Sequence, residues 1–259
     1  METIAWPFFR REFWTLLKSR KSQTMGLLLL YTLAAVPFLL QNPPPEVAEA
    51  IASWFNNGST FVIFLFVWID LALNKTMILL GALLSSGIMV DERARNILTL
   101  YLSKPIRPES YFASKVLAAI LVFTWWYLVT ACVAVLTLPY RIPGFHAPTF
   151  LAVSSIHLMA GTFTVGLSAV ISQSFEKRFS ALLASMLTIM LLAGVAFVPF
   201  YDRDLWLLGA LNPFFHAISI FGELGNMTYG HVLSRLGILL GWNIVVLWMG
   251  IQRVAGREA

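Results

Sequence analysis

The sequence predicts an all-α polytopic membrane protein, and three observations support this. Of the 259 residues, 58% are hydrophobic and only 12% are charged, which is about half the charged fraction of a soluble domain. The mean hydropathy is +0.76. The apolar residues are also gathered into runs of roughly 20 residues, the length that a helix needs to cross about 30 Å of hydrocarbon. A soluble enzyme, a disordered chain and a nucleic-acid-binding protein are therefore disfavoured, despite a net charge of +5.

Six apolar runs, each bounded by charged or Pro/Gly-rich stretches, predict six transmembrane helices. Each run must be helical, because unpaired backbone N–H and C=O groups are not tolerated in lipid. The first run could instead belong to a signal peptide cleaved after Ala48-Glu49-Ala50, but the basic stretch before it is long for such a peptide. The six runs are Gln23–Leu40, Phe61–Val90, Tyr111–Leu138, Thr149–Ile171, Ser180–Phe200 and Val232–Ile251.

The second run is longer than one span requires, and Asp70, Asn74 and Lys75 interrupt it. A helix counted back about 20 residues from Asp91 puts Lys75 near the opposite membrane surface, where its side chain can extend towards water. Phe61–Ile69 is then a tilted extension or a segment along the membrane surface. The alternative is that Asp70 and Lys75 form an ionisable site inside the membrane.

The distribution of lysine and arginine predicts that both termini are cytoplasmic. Fourteen of the eighteen Lys and Arg residues flank the helix ends on one side of the membrane, whereas Arg141, Arg203 and Arg235 lie on the other side. Positively charged flanks stay on the cytoplasmic side of a membrane.

The chain divides into an N-terminal helix and one transmembrane domain. Residues 1–22 include a basic amphipathic helix, which is typical of a segment that lies along the membrane interface. Residues 23–259 form a single six-helix domain, with a cytoplasmic loop at 91–110 and an outer segment at 201–230. The candidate residues of the interface helix are Phe9, Arg10, Arg11, Glu12 and Phe13.

The cytoplasmic loop carries the most specific pattern in the chain. Asp91-Glu92 is followed by Ile97-Leu98-Thr99-Leu100 and then by Leu102-Ser103-Lys104-Pro105-Ile106, and Lys115 opens the third helix. This pattern resembles the permease subunits of ABC-2 type ATP-binding-cassette exporters, although Asn96-Ile97 stands where that family has Gly-Thr. The Arg11-Glu12 pair and Leu211-Asn212-Pro213 are also similar to the family.

The resemblance implies an ABC-2 exporter fold, with short re-entrant helices at 201–230 before the last span. It also implies a permease that pairs with a second copy or a homologous permease and works with two separate nucleotide-binding subunits, which bind ATP and Mg. The chain has no G-x-x-x-x-G-K-[ST] phosphate loop, so we expect neither enzyme activity nor a cofactor in it. The implied ATPase-coupling residues are Glu92, Arg93, Asn96, Pro105, Ile106 and Arg107.

Two functions fit this complex. The permease exports a lipid-like or hydrophobic compound, or it relays ATPase motion to a periplasmic or extracellular accessory protein without moving cargo itself. An ion-coupled transporter or intramembrane enzyme is disfavoured, because only Asp70 and Lys75 are ionisable candidates inside the bundle. The four histidines lack zinc-binding spacing, and Cys132 is the only cysteine.

The expected location is the prokaryotic inner, or cytoplasmic, membrane. Membrane lipid is an expected partner, and nucleic acid is not. In the last span, Gly237 and Gly241 form a GxxxG pair that permits close helix packing.

Overall fold

The fold is helical throughout the part of the chain that the structure describes. This structure is a computed structural model, and it describes residues 6–41, 43–46, 49, 59–69, 75–91 and 107–256. Within those ranges the α-helices are α1 (Trp6–Leu17), α2 (Arg20–Gln41), α3 (Thr60–Leu65), α4 (Lys75–Ser85), α5 (Pro108–Thr137), α6 (Ala147–Ser172), α7 (Arg178–Val195), α8 (Val198–Tyr201), α9 (Trp206–Ala210), α10 (Pro213–Ile218) and α11 (Tyr229–Ala255). Short 3₁₀ segments cover Leu138–Tyr140, Arg203–Leu205 and Ser219–Asn226.

Five of the described helices, α2, α5, α6, α7 and α11, are long and apolar enough to cross a membrane. They coincide with five of the six predicted spans, and their ends differ from the predicted ends by a few residues. The start of α5 shows how a residue of the local sequence favours a helix end at its position. Pro108 occupies its first turn, where the missing N–H costs nothing and the fixed φ suits a helix.

The second predicted run is described in two parts. It comprises α3, whose N-cap Ser59 accepts a hydrogen bond from the Val62 N–H, and α4, with residues 70–74 outside the described ranges. The polar residues Asp70 and Asn74 therefore lie outside the described residues. Phe64 and Trp68 are fully buried, which favours an extension into the bundle over a segment along the membrane surface.

Helix α6 forms the centre of the bundle, and α4, α5, α7 and α11 pack around it. Two-thirds of its most apolar stretch, 67%, is buried within the chain, against 17% for α11. The outward face of α11 includes the predicted GxxxG pair. A Cβ added at Gly237 or Gly241 would meet no atom within 4 Å, so neither glycine serves helix packing within the described chain.

Contacts between distant residues define two ends of the bundle. At one end, which we call the Arg141 end, Gln41 Nε2 donates to the Arg141 carbonyl at 2.8 Å and the Phe61 ring lies 5.3 Å from that of Phe145. At the other, the Asp91 end, Arg178 pairs with Asp91 and Gln173 Nε2 donates to the Gly250 carbonyl at 3.1 Å.

The segment before the last helix is built from the short helices α8, α9 and α10. Asn212 organises it in two ways. Its Oδ1 accepts from the Phe214 N–H at 2.9 Å and so caps α10, and its Nδ2 donates to the Leu192 carbonyl of α7 at 2.7 Å. These bonds attach the short helices to the bundle, and their re-entry into the membrane stays a prediction.

Candidate functional site

The candidate site is the Asp91 end of the bundle, which includes both flanks of the predicted coupling loop. Five predicted coupling residues, Glu92, Arg93, Asn96, Pro105 and Ile106, lie outside the described residues. The sixth, Arg107, is exposed and has an extended backbone immediately before α5. The described chain therefore stops at Asp91 and resumes at Arg107.

The first flank is held by Arg178 at the start of α7. Its Nη1 lies 3.1 Å from Asp91 Oδ2, and its Nη2 donates to the Leu83 carbonyl in α4 at 3.3 Å. A Cβ on Gly87 would come 3.0 Å from the guanidinium carbon, so the arginine side chain passes close to the backbone at this glycine. One side chain thus joins the end of the second predicted span to α7.

The second flank is held by Lys115, two turns into α5. Lys115 Nζ lies 3.3 Å from Glu12 Oε1 of α1, and its side chain is only 4% exposed. The ring centres of Tyr111 and Phe8 lie 5.3 and 5.9 Å from the same ammonium group, a distance at which aromatic faces attract a cation. This arrangement fixes α1 against the start of α5.

The structure divides the five predicted interface-helix residues between two faces of α1. Glu12 faces α5 through Lys115, whereas Arg10 and Arg11 are exposed. Phe9 is half-buried and stacks on Trp6, with ring centres 5.0 Å apart. Phe13 is also half-buried and packs against the core.

A second polar cluster lies in and beside the predicted outer segment, around Arg235 of α11. Its guanidinium donates to the His216 carbonyl at 2.7 Å, to Glu223 Oε1 at 2.7 Å and to Ser219 Oγ. The Arg235 side chain is 12% exposed, so these bonds replace most of its hydration. Burial lowers the pKa of His216, the Arg235 charge lowers it further, and the hydrogen bond to the Ala210 carbonyl opposes both effects.

His157 is a core histidine, as its position in an apolar helix predicts. It is buried in α6 and its Nδ1 donates to the Val153 carbonyl at 2.9 Å. Within the described residues, no group of three or more His, Cys, Asp or Glu side chains could hold a metal ion.

Three residues at these sites were not identified as functional from the sequence. Arg178 and Arg235 contributed only to the charge distribution, and Asp91 was part of a motif without a partner. The available signal was an arginine within or next to an apolar run, since such a charge needs a partner when it is buried. That signal indicates that a partner exists and does not identify it.

Taken together, the long apolar helices and the polar clusters at the two bundle ends define a multi-pass integral membrane protein. The chain belongs to the ABC-2 transporter family, because the model of that family, described as ABC-2 family transporter protein, matches residues 18–251. No curated protein matches the chain. Family membership makes the protein a permease-type membrane subunit that associates, in general terms, with ABC ATP-binding partners.

Proposed function

We propose that this protein is the permease half of an ABC exporter, driven by ATP hydrolysis in two separate nucleotide-binding subunits. The observation that carries the proposal is the attachment of both flanks of the 92–106 loop to the bundle. Asp91 is tied to α7 and α4 through Arg178, and the start of α5 is tied to α1 through Lys115. A force applied to the loop would therefore tilt whole helices as rigid bodies.

The proposal includes six membrane crossings, with both termini in the cytoplasm. Contacts at the two ends of residues 59–91 support the sixth crossing, because Phe61 lies at the Arg141 end and Asp91 lies at the opposite end. The excess of lysine and arginine at the Asp91 end supports a cytoplasmic position for that end. The coupling loop would then face ATPase subunits in the cytoplasm of a prokaryotic cell.

The proposed cargo is lipid-like or hydrophobic. A cavity of about 370 Å³ lies between α4 and α7, and its described lining consists of apolar side chains, Ile78, Leu79, Met186, Ile189, Met190 and Ala193. Burying apolar surface is favourable by roughly 25 cal/mol per Å², so this groove suits an alkyl chain better than a charged solute. A second permease, either another copy or a homologue, would close the pathway.

A second candidate is a subunit that relays ATPase motion to an accessory protein on the outer side. The observation that favours it is the apolar surface of the segment before α11. Tyr201 is 91% exposed, Trp206 is 63% exposed and Leu211 is 58% exposed. Side chains of this kind anchor protein interfaces, and they also suit the membrane surface.

The test of the coupling proposal replaces residues 92–107 with a Gly/Ser linker of equal length. We expect the ATP-binding subunits no longer to co-purify with the protein, and cargo-stimulated ATPase activity to be lost. The control is Tyr140→Ser/Arg141→Ser/Pro143→Ser at the opposite end, which changes exposed positions and keeps the buried Ile142 and the half-buried Phe145. Retention of coupled ATPase activity by the 92–107 variant would exclude the assigned docking site.

The two candidate functions separate in reconstituted vesicles. An exporter moves a fluorescent lipid or hydrophobic dye across the bilayer when ATP is present, and the rate falls with the 92–107 replacement. A subunit that only relays motion hydrolyses ATP in the same complex without moving any probe. Pull-down of an outer-side protein by the complex, combined with absent transport, would favour the second candidate.

A further inference from the structure

The outward face of α1 carries an alternation of tryptophan and basic residues. Trp6, Arg10, Trp14 and Lys18 follow one another at four-residue spacing, so they lie along one side of the helix. All four side chains are exposed, with Trp6 at 66% and Trp14 at 49%. Lys18 Nζ lies 6.0 Å from the centre of the Trp14 ring, at the limit for a favourable contact with its face.

This face has positive charge without a competing negative charge in the described stretch 6–23. The one acidic residue of that stretch, Glu12, faces the other way and pairs with Lys115 at 3.3 Å. Its carboxylate therefore does not neutralise the outward cations. Five basic residues are exposed along the stretch, namely Arg10, Arg11, Lys18, Arg20 and Lys21.

The position of α1 puts this face beside the ends of membrane-spanning helices. Its inner face contacts the first turns of α5, where the Phe8 ring lies 4.7 Å from that of Tyr111. Its C-terminal end is followed by α2, which starts at Arg20. A helix at that level lies where the hydrocarbon gives way to the headgroups, the depth that tryptophan prefers.

We propose that the outward face of α1 is a binding site for the headgroups of anionic phospholipids. Arg10 lies between Trp6 and Trp14 on the helix surface, so its guanidinium can donate two hydrogen bonds to a phosphate while the indole rings lie among the headgroups and upper acyl chains. Arg11, next to Arg10 in the sequence, and Lys18, four residues after Trp14, extend the cationic surface. The pairing of Glu12 with Lys115 leaves that charge available to the lipid.

This site differs from general membrane anchoring, because it distinguishes lipids by charge. A purely apolar helix face would bind zwitterionic and anionic bilayers equally. Basic residues near an anionic surface each strengthen binding by roughly fivefold, and the effect is screened within a Debye length. We therefore expect retention of anionic lipid to fall as the salt concentration rises.

The experiment uses the full-length protein in detergent micelles doped with equal amounts of phosphatidylglycerol and phosphatidylcholine. Native mass spectrometry counts the lipids that remain bound. We expect the wild type to retain phosphatidylglycerol preferentially, and Arg10→Gln/Arg11→Gln/Lys18→Gln to lose that preference by roughly 100-fold, given about fivefold per cation. The matched control, Arg141→Gln/Lys177→Gln/Arg253→Gln, removes three exposed basic residues elsewhere and should retain the preference.

Equal loss in the triple variant and its control would overturn the proposal, because binding would then depend on net charge alone. Unchanged phosphatidylglycerol retention in the triple variant would overturn it as well. If that variant retains the lipid and instead loses co-purifying ATP-binding subunits, the face is a protein interface. The melting temperature of each variant checks that the fold is intact.

A second measurement does not depend on the charge variants. Phospholipids brominated near the headgroup quench tryptophan fluorescence on contact. The difference in quenching between wild type and Trp6→Phe/Trp14→Phe isolates the two indoles, and we expect it to be larger with brominated phosphatidylglycerol than with brominated phosphatidylcholine. Equal quenching by the two lipids would contradict a headgroup-selective site.

Discussion

At the scale of single residues, Lys115 is a buried cation that has Glu12 as its carboxylate partner and the rings of Phe8 and Tyr111 beside it. An ammonium group in such a place loses its hydration, so the protein has to supply interactions that replace water. Glu12 is 20% exposed and keeps some contact with water. Removing Glu12 and removing Lys115 should therefore lower the free energy of unfolding by different amounts.

We predict that Glu12→Leu lowers the free energy of unfolding by about 3 kcal/mol, the cost typical of removing one partner from a buried pair. Lys115→Met should cost less, because the remaining Glu12 carboxylate can be hydrated. The double variant should be close to wild type, since apolar replacement of a whole buried pair is often neutral. Thermal unfolding in detergent measures all three, and additive losses in the double variant would contradict direct coupling.

His216 provides a pH-dependent contribution in the segment before α11. Burial and the Arg235 charge lower its pKa, so the folded protein favours the neutral ring and the unfolded chain binds more protons below about pH 6.5. Stability must then fall as the pH drops through that value towards the lowered pKa. We predict a lower melting temperature at pH 5.5 than at pH 7.5.

The matched comparison for this prediction is between two histidines of the same region. His216→Gln should reduce the pH dependence of the melting temperature. His231→Gln changes an exposed ring whose Nδ1 lies 4.0 Å from Glu223, and the loss of stability on acidification should persist in that variant. An unchanged pH profile in His216→Gln would show that another group governs the effect.

At the scale of secondary-structure elements, the contact between α2 and α5 depends on one glycine. A Cβ at Gly26 would overlap the Trp126 ring, and the Trp126 Nε1 donates to Ser22 Oγ at 2.7 Å. The indole therefore packs against α2 where that helix has no side chain. This contact decides how closely the first span approaches the third.

We predict that Gly26→Ala destabilises the protein by about 1–3 kcal/mol, because overpacking moves Trp126 and breaks its bond to Ser22. The gain in helix propensity, up to about 1 kcal/mol, offsets only part of this. Gly194→Ala in α7 is the control, since a Cβ there meets no atom within 4 Å, and it should be neutral or slightly stabilising. Equal melting temperatures for the two variants would show that the α2–α5 contact tolerates a methyl group.

At the scale of the whole molecule, the number of crossings decides on which sides the termini lie. With five spans the two termini would lie on opposite sides of the membrane, whereas with six they would lie on the same side. Six crossings are our proposal, which the contacts of Phe61 at the Arg141 end and of Asp91 at the opposite end support. Single cysteines in a Cys132→Ser background can test this directly.

We predict that Tyr140→Cys, at a position 89% exposed, reacts with an impermeant maleimide in intact cells. Lys18→Cys and Arg253→Cys, both at exposed positions, should react only after the membrane is permeabilised. Reaction of Lys18→Cys and Arg253→Cys from opposite sides would establish an odd number of crossings. Labelling of all three in intact cells would point to leaky membranes.

The sequence by itself determined where five spans lie, to within a few residues, and that α1 is amphipathic. These features depend on interactions between residues a few positions apart. A run of about 20 apolar residues must form a helix in lipid, and Pro108 favours a helix start wherever the chain goes. The sequence pattern also led to the family, through residues that follow one another in a single loop.

Only the tertiary structure decided which charges meet. Lys115 and Glu12 are 103 positions apart, and Arg178 and Asp91 are 87 apart, so no local periodicity relates them. Their meeting depends on which helices are neighbours and at what height they cross. The physical reason is that hydrophobicity acts on every apolar helix alike, whereas an ion pair forms only between two particular atoms brought within a few ångströms.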